Sequence, residues 1–462
     1  MVNIFIFTRD FRIIDNYGLH HSLKDNDTIP IFIFTPQQFI NNKYKSYHSI
    51  TFMIDSLIDL DKQIKKHSNS KLYLFLGNYI DVIKDIIKHN DIQNIFINKD
   101  FTPFSNKRFN DIKKIFKNTF QIEDYNLLPM ETLFNKSNQP YRVFTPFFNN
   151  SKKFFKDIPT PKKLNNYPFV KLRKSTKFII NIKDTFKHFD KQNTLLKGGR
   201  KYALKQLRLV KNQRNYPKMR DFLTYKTTLL SPYLKFGCIS IRETFHQFTK
   251  HLQNNNTLIT QLLWREFYLY ISYYFPHVLQ GQISSHNKDF QDRFSNFKWS
   301  NDKQIFKKWC NAQTGFPIVD ASMTQLNTTG YMHNRARLIV SSFLIKLCLI
   351  DWRWGEQYFA TKLIDYDPAQ NNAGWQFHHG GASNADYFRI LSPISQANRF
   401  DKNAEFIKQF LPNLKHIPPK HLIDWEKHYT NYDLKQINYF KPIFDYNKQR
   451  DKALDTYKKL FK

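Results

Sequence analysis

GFPIVDASMTQLNTTGYMHNRARLIVSSF, residues 315–343, opens the part of this chain that decides its architecture, and it continues as IDWRWGEQYF (350–359), DYDPAQNNAGWQF (365–377) and DYFRILSPISQANRFD (386–401). Packing alone does not require so much particular polar detail among the apolar positions. Trp299, Trp309, Trp352 and Trp375 fall in or beside this block. Any one of them reads as core filling, because aromatic side chains bury much apolar surface. Together they read as a redox device, since indole is easily oxidised and passes an electron on without moving.

Working outward, 462 residues exceed a single core and imply two or three domains. At 41% hydrophobic residues the composition is that of a globular protein, with no apolar run long enough to cross a bilayer. MVNIFIFTRDFR at the start is too short in apolar residues for a secretory signal and reads as a buried first strand. Cys238, Cys310 and Cys348 lack CxxC spacing, so neither a disulfide framework nor a metal site is indicated. The expectation is a protein that is not secreted, working inside the cell in cytoplasm or nucleus. Seventy-one Lys plus Arg against 38 Asp plus Glu give a net charge of +33. That excess supplies sequence-independent, salt-sensitive affinity for a phosphate backbone, so nucleic acid is the expected partner. A bias toward Lys, Asn, Ile and Phe accounts for some of the lysines without any partner.

Residues 1–130 alternate apolar runs with helical patterns. Val2–Phe7, Ile29–Phe34, Lys71–Leu76, Ile92–Asn98 and Phe120–Tyr125 read as strands; Ser49–Lys66, Tyr79–His89 and Asn106–Lys117 read as helices. The alternation implies an α/β, doubly wound parallel sheet. It lacks GxGxxG, so a dinucleotide fingerprint is not its purpose. Residues 131–195 are rich in Pro, Asn and Lys and read as an interdomain linker with some structure of its own. Residues 196–462 are helical in pattern, opening with GGRKYALKQL, where Ala203, Leu204, Leu207 and Val210 form an apolar stripe. In TTLLSPYLKFG (227–237), clustered hydroxyls before Pro232 suit a helix cap or a phosphate at a helix start.

The block from Thr227 to Asp401 strongly resembles the flavin-binding core of the photolyase and cryptochrome family, and TRDFRIIDNYGL (8–19) is similar to the family's RDLRxxDNxAL opening, with Phe11 where Leu is usual. The resemblance implies an N-terminal antenna-type α/β domain and a C-terminal all-α FAD-binding domain. It implies FAD as cofactor and leaves open a second, antenna chromophore of unspecified kind. Thr227, Thr228, Leu229, Leu230 and Ser231 would lie along the FAD pyrophosphate. Arg337 and Asp365 would pair beside the isoalloxazine, with Tyr366 and Asp367 flanking, and Asn371 would face flavin N5, an amide where sensors more often carry Asp or Cys. Trp375, Trp352 and Trp299 would be the electron relay from flavin to surface, leaving Trp309 structural. The family's phosphate-contacting Tyr is replaced by Val210, and a tyrosine of an insertion around Tyr216 to Tyr225 is the expected substitute.

On the substrate side, Gln261, Trp264, Arg265 and Tyr268 match the family's WREF helix, with Trp264 stacking on a flipped-out lesion. Asn334, Arg335, Phe377, Gln396 and Arg399 would line the DNA side. Gln261 resembles the (6-4) photoproduct enzymes, where the cyclobutane enzymes carry Glu. Asn334 and Leu338 stand where the (6-4) enzymes carry a His pair, and neither residue can do that proton transfer. The implied activity is light-driven splitting of cyclobutane pyrimidine dimers in UV-damaged DNA, by a protein expected to be monomeric and free of membranes. A (6-4) photolyase and a cryptochrome-type photosensor are the alternatives. The pair His378-His379 reads as local polar contacts, in a loop to Asp386 that is one residue short.

Overall fold

The computed structural model describes residues 1–462 except 25, 41, 175, 188, 253–255, 280–296, 380–387 and 460–462. Residues 380–386 of the loop expected to be one residue short, and the side chain of His379, therefore lie outside the described residues.

Ile- and Phe-rich runs form five parallel strands: β1 Val2–Ile6, β2 Thr28–Phe34, β3 Tyr73–Leu76, β4 Ile92–Asn98 and β5 Thr119–Ile122. All seven residues of β2 are buried, as a strand covered on both faces demands. The order β3-β2-β1-β4-β5 is that of a doubly wound sheet, with its reversal point between β1 and β4. The helix Tyr79–His89 has the bounds its periodicity suggests, whereas the other two begin earlier. Ser46 caps Tyr47–His67 by accepting from Ser49 N, and Thr102 caps Pro103–Ile115, so capping chemistry rather than the first apolar residue sets each start. The strand expected over Phe120–Tyr125 ends at Ile122, because Asp124 leaves the sheet for a buried ion network. There Arg242 bonds Asp124 Oδ1 at 2.6 Å and Asp15 Oδ2 at 2.9 Å, and Arg12 pairs with Asp124. The TRDFRIIDNYGL segment is thus a hub: Asn16 caps the helix Tyr17–Ser22, and Phe11 fills the core against Phe32 and Phe236.

The chain forms two compact units that do not follow the expected divisions at 130 and 195. One comprises residues 1–192, 196–214 and 228–276; the other comprises 193–195, 215–227 and 277–462. In the first, the segment read as a linker carries the helix Phe144–Ser151 and packs on the helix Asn256–Tyr274, so it is bound to the sheet-bearing unit. The glycine pair after it has a steric reason. A Cβ on Gly198 would sit 2.0 Å from Phe52 O, and Gly199 holds φ +110° against Asp59. Ala203, Leu207 and Val210 are buried as the stripe predicts.

The second unit is a helical core around Trp309, Trp352, Trp375 and Trp425. Its helix Asn334–Ser342 runs into a π-helical turn, Phe343–Leu347, and Leu349 follows at φ +52°. This irregular stretch lets the chain double back into the helix Trp352–Lys362.

Candidate active site

In the second unit, His333 caps the helix Asn334–Ser342 by accepting from Arg335 N at 3.1 Å, which sets Arg337 one turn in. Arg337 Nε donates to Met332 O, and its Nη2 meets both oxygens of Asp365 at 3.0 and 2.8 Å. The expected pair is therefore formed, with Asp365 almost wholly enclosed. Tyr331 lies under the same guanidinium and reaches Thr227 Oγ1 at 3.5 Å. Tyr216, its phenol pushed up to about 12 by burial, feels Tyr331 as a neighbour. Asp367 is buried and caps the helix Pro368–His379 through Ala369 N and Gln370 N, a structural post. Tyr366 bonds Glu356 at 3.4 Å.

Asn371 donates its amide to Glu356 O at 3.1 Å and Glu356 Oε1 at 3.0 Å. Its carbonyl oxygen is left as the acceptor. Gly374 lies three residues on, on the same helical face, and a Cβ there would meet nothing within 4 Å. An open face at Gly374, an amide oxygen left to accept and a fixed cation on the neighbouring helix fit a flavin: the oxygen suits N5–H, and the cation favours the anionic reduced ring. FAD in this unit would be held by Asn371, Arg337 and Asp365.

Trp375 is buried against Phe359, and Gly355 makes room for it, since a Cβ at 355 would stand 2.2 Å from the indole. Trp352 is buried with its indole N–H unpartnered, and Trp299 is half-buried against Phe297. Among the described residues the tryptophan ring in contact with Trp375 is Trp309, at 6.1 Å between centroids.

On the DNA-facing candidates, Arg335 bonds Asp221 at 2.8 Å and lies 4.4 Å over the Phe400 ring. Arg399, exposed, lies 5.2 Å over the same ring. Gln396 stands one turn before Phe400 on the helix Pro393–Phe400, its Oε1 buried without a partner. Asn334 is exposed at the helix start, and Phe377 is 44% exposed. His378 is partly buried beside Phe377, its Nε2 enclosed and unpartnered, so the expected local polar contact is not made by that nitrogen.

In the first unit, Gln261, Trp264, Arg265 and Tyr268 follow i, i+3, i+4, i+7 and share a face of the helix Asn256–Tyr274. Trp264 is stacked on Phe144 at 3.6 Å and 8°, with Tyr268 tilted beside it. Burial raises the Tyr268 phenol to about 12. Arg265 faces inward: it lies 4.0 Å over Tyr125, donates to Tyr125 O and pairs with Glu266, which anchors Leu127 N. This inward post corrects its reading as a lesion contact. In the pyrophosphate segment, Leu230 is the N-cap of Ser231–Lys235 and no side chain caps it, contrary to the hydroxyl-cap expectation. Thr228 O accepts from Gln206, and Leu229 holds φ +52°, a strained conformation for a non-glycine residue.

Glu356, Tyr331, Phe144 and Phe400 were not read from sequence as site residues. Glu356 had a signal, four residues after Trp352 on one helix face; Phe144 and Phe400 had none, because their partners are distant in sequence.

A parallel-sheet unit and a helical unit with a flavin-fitting face define a two-part flavoprotein. Residues 3–163 match the family model described as DNA photolyase, and residues 258–459 match the FAD binding domain of DNA photolyase. The chain is 34% identical to the deoxyribodipyrimidine photo-lyase of Buchnera aphidicola subsp. Acyrthosiphon pisum, over 99% of this chain and 96% of that one. The crystal structure of an archaeal photolyase from Sulfolobus tokodaii with two FAD molecules superposes with a TM-score of 0.86 at 35% identity, covering 99% of this chain and 100% of that one. A Synechocystis cryptochrome superposes equally well, TM-score 0.88 at 24% identity and 99% of each chain, and shares the fold. The chain belongs to the DNA photolyase family and carries its FAD-binding domain.

Proposed function

We propose that this protein is a light-dependent DNA repair enzyme that splits cyclobutane pyrimidine dimers. The observation that carries the reading is the Asn371 amide, its nitrogen held by Glu356, on a helix packed against the one that bears the Arg337–Asp365 pair. FAD bound there supplies a light-excited electron for the lesion. The residues do the rest. Asn371 would accept a hydrogen bond from N5–H, Arg337 would balance negative charge on the reduced ring, and Trp264, supported by Phe144, offers a flat wall to a flipped-out base pair. Arg335 and Arg399 meet the strand's phosphates, with the +33 net charge behind them. Trp375, Trp352 and Trp299 serve to re-reduce an oxidised flavin. Curated relatives named deoxyribodipyrimidine photo-lyase support this function. Because the Sulfolobus relative holds two FAD molecules, the carboxyl ends of β1 and β4 are the proposed place for a second chromophore here. The working form is proposed to be a monomer in the compartment that holds the DNA.

Gln261 keeps the (6-4) reading as an arm of the test. The reduced protein is illuminated with blue light on DNA carrying either cyclobutane dimers or (6-4) photoproducts, with dark controls. Loss of cyclobutane dimers is expected. Loss of (6-4) products alone transfers the assignment to that lesion, and no loss by a flavin-loaded protein favours a photosensor.

A further inference from the structure

The segment read as a linker does more than cover the sheet. Near the start of β2, Thr28 N donates to Pro168 O at 3.0 Å and Val170 N donates to Thr28 O at 3.1 Å. Further on, the same segment runs antiparallel along the outer edge of β3, where Leu76 N donates to Phe178 O at 2.9 Å and Ile180 N to Leu74 O at 2.8 Å. Between these attachments, the end of the helix Tyr47–His67 and the start of β3 lies a cavity of about 580 Å³. Its lining includes Lys65, Lys71, Tyr73, Lys171, Leu172 and Ile179. The surrounding backbone is tied down on every side. Ser70 Oγ donates to Val170 O at 2.7 Å, Ser68 Oγ donates to Ile64 O at 3.1 Å, Leu72 N donates to Asp61 at 3.0 Å, and Arg173 N donates to Asn90 Oδ1 at 3.0 Å.

No residue of the lining is acidic. Lysines at a helix end are ordinary, because they offset its negative pole, and this accounts for Lys65, which pairs with Asp61 at 2.6 Å. It does not account for Lys71 or Lys171. Both are exposed, stand off the helix on two different walls, and pair with no carboxylate among the described residues. Tyr73, almost wholly buried 5.4 Å beneath the Lys71 ammonium, joins Leu172 and Ile179 as an apolar flank. The hydroxyls of Ser68 and Ser70 are spent on backbone carbonyls, which leaves the lysines as the strong polar groups of the cavity.

We propose that this cavity binds a nucleotide, with its phosphoryl groups held by Lys71 and Lys171 and its flat ring against Tyr73, Leu172 and Ile179. The volume falls within the range of about 300–1,000 Å³ common to small-molecule sites. Ammonium groups act on phosphate as point charges, and the apolar flank carries no group that reads a base edge, so the site discriminates bases weakly. The strands are parallel, so the cavity lies at the opposite edge of the sheet from the carboxyl ends assigned above to a second chromophore. The proposal stands independently of the repair reading. The phosphates of a DNA strand offer the same chemistry as those of a free nucleotide, and the test separates the two sources.

The full-length, FAD-loaded protein is titrated with N-methylanthraniloyl-ADP and binding is followed by fluorescence anisotropy. The unaltered protein is compared with Lys71→Gln/Lys171→Gln and with Lys113→Gln/Lys114→Gln, which removes two exposed lysines from the helix Pro103–Ile115 of the same unit. Saturable binding is expected in the unaltered and Lys113/Lys114 proteins, and a loss of about tenfold or more in the cavity variant. ADP should displace the probe and adenosine should not. Displacement by ADP but not by a short single-stranded oligothymidylate assigns the site to free nucleotides. Displacement by the oligonucleotide too, with the same dependence on Lys71 and Lys171, assigns it to the phosphates of a strand. Absence of saturable binding, equal affinity in all three proteins, or displacement by adenosine as readily as by ADP overturns the proposal. Should the cavity variant fold poorly, acetic anhydride labelling of the unaltered protein decides: ADP is expected to shield Lys71 and Lys171 but not Lys113, and unchanged labelling overturns the site.

Discussion

Asn371 shows how much a single amide can carry. Both of its donors are spent on Glu356, so only its oxygen is free for the flavin edge. Asn371→Asp would set a second carboxylate against Glu356 and oppose negative charge on the ring; light-driven repair is expected to fall about tenfold, a loss of about 1.4 kcal/mol, measured by lesion counting at saturating light. Arg337→Ala strands Asp365, whose side chain is 5% exposed, and removal of one partner of such a pair costs about 3 kcal/mol, at the low end because the guanidinium is 27% exposed. The purified variant is expected to melt earlier and to retain less FAD. His333 supplies a pH signature. Burial lowers its imidazole from the ordinary 6.5 to about 4, so between those values the unfolded chain binds more protons than the folded one. Its contribution is complete above pH 6.5, shrinks as the pH falls through that window and is gone below about 4, a loss of up to about 3 kcal/mol. His333→Gln should flatten the melting-temperature profile between pH 6.5 and 4.

Among the elements, the helix Asn256–Tyr274 and the helix Phe144–Ser151 form one aromatic wall, with Trp264 clamped on Phe144. Periodicity announced the first helix, and only the family resemblance of its residues offered a purpose for them. The second was hidden in a segment poor in periodicity, because a short helix with Pro, Asn and Lys around it has no regular apolar stripe to read. Phe144→Ala removes the support without touching the ring that faces the base pair. An aromatic pair is worth about 0.5–1.5 kcal/mol, so affinity for dimer-containing DNA should fall several-fold while affinity for undamaged DNA stays constant in a gel-shift titration. The helices Trp352–Lys362 and Pro368–His379 meet at Gly355 and Trp375. Gly355→Ala would push the indole aside, and photoreduction should drop together with the melting temperature.

For the molecule as a whole, charge is the property that acts at a distance. With a net +33, binding to undamaged duplex should weaken linearly in log affinity against log salt, and removing one phosphate contact by Arg399→Ala should reduce that slope by about 1. The doubly wound order was legible because alternating Ile- and Phe-rich runs and helical stretches leave few ways to bury both faces of a sheet. The Arg337–Asp365 pairing was expected from the family resemblance alone, since Asp365 and Asp367 around Tyr366 read by themselves as an exposed turn. What could not be read were the meetings of residues far apart in the chain: Asp221 with Arg335, Phe400 beneath Arg335, Arg265 turned toward Tyr125, and Trp309 against Trp375. Residue type and local spacing specify secondary structure and the chemistry on offer, because propensity, capping and periodicity act over a few neighbours. Which ring touches which, and which polar atom is left without a partner, follows from close packing of elements far apart in sequence, a many-body fit that no local pattern encodes.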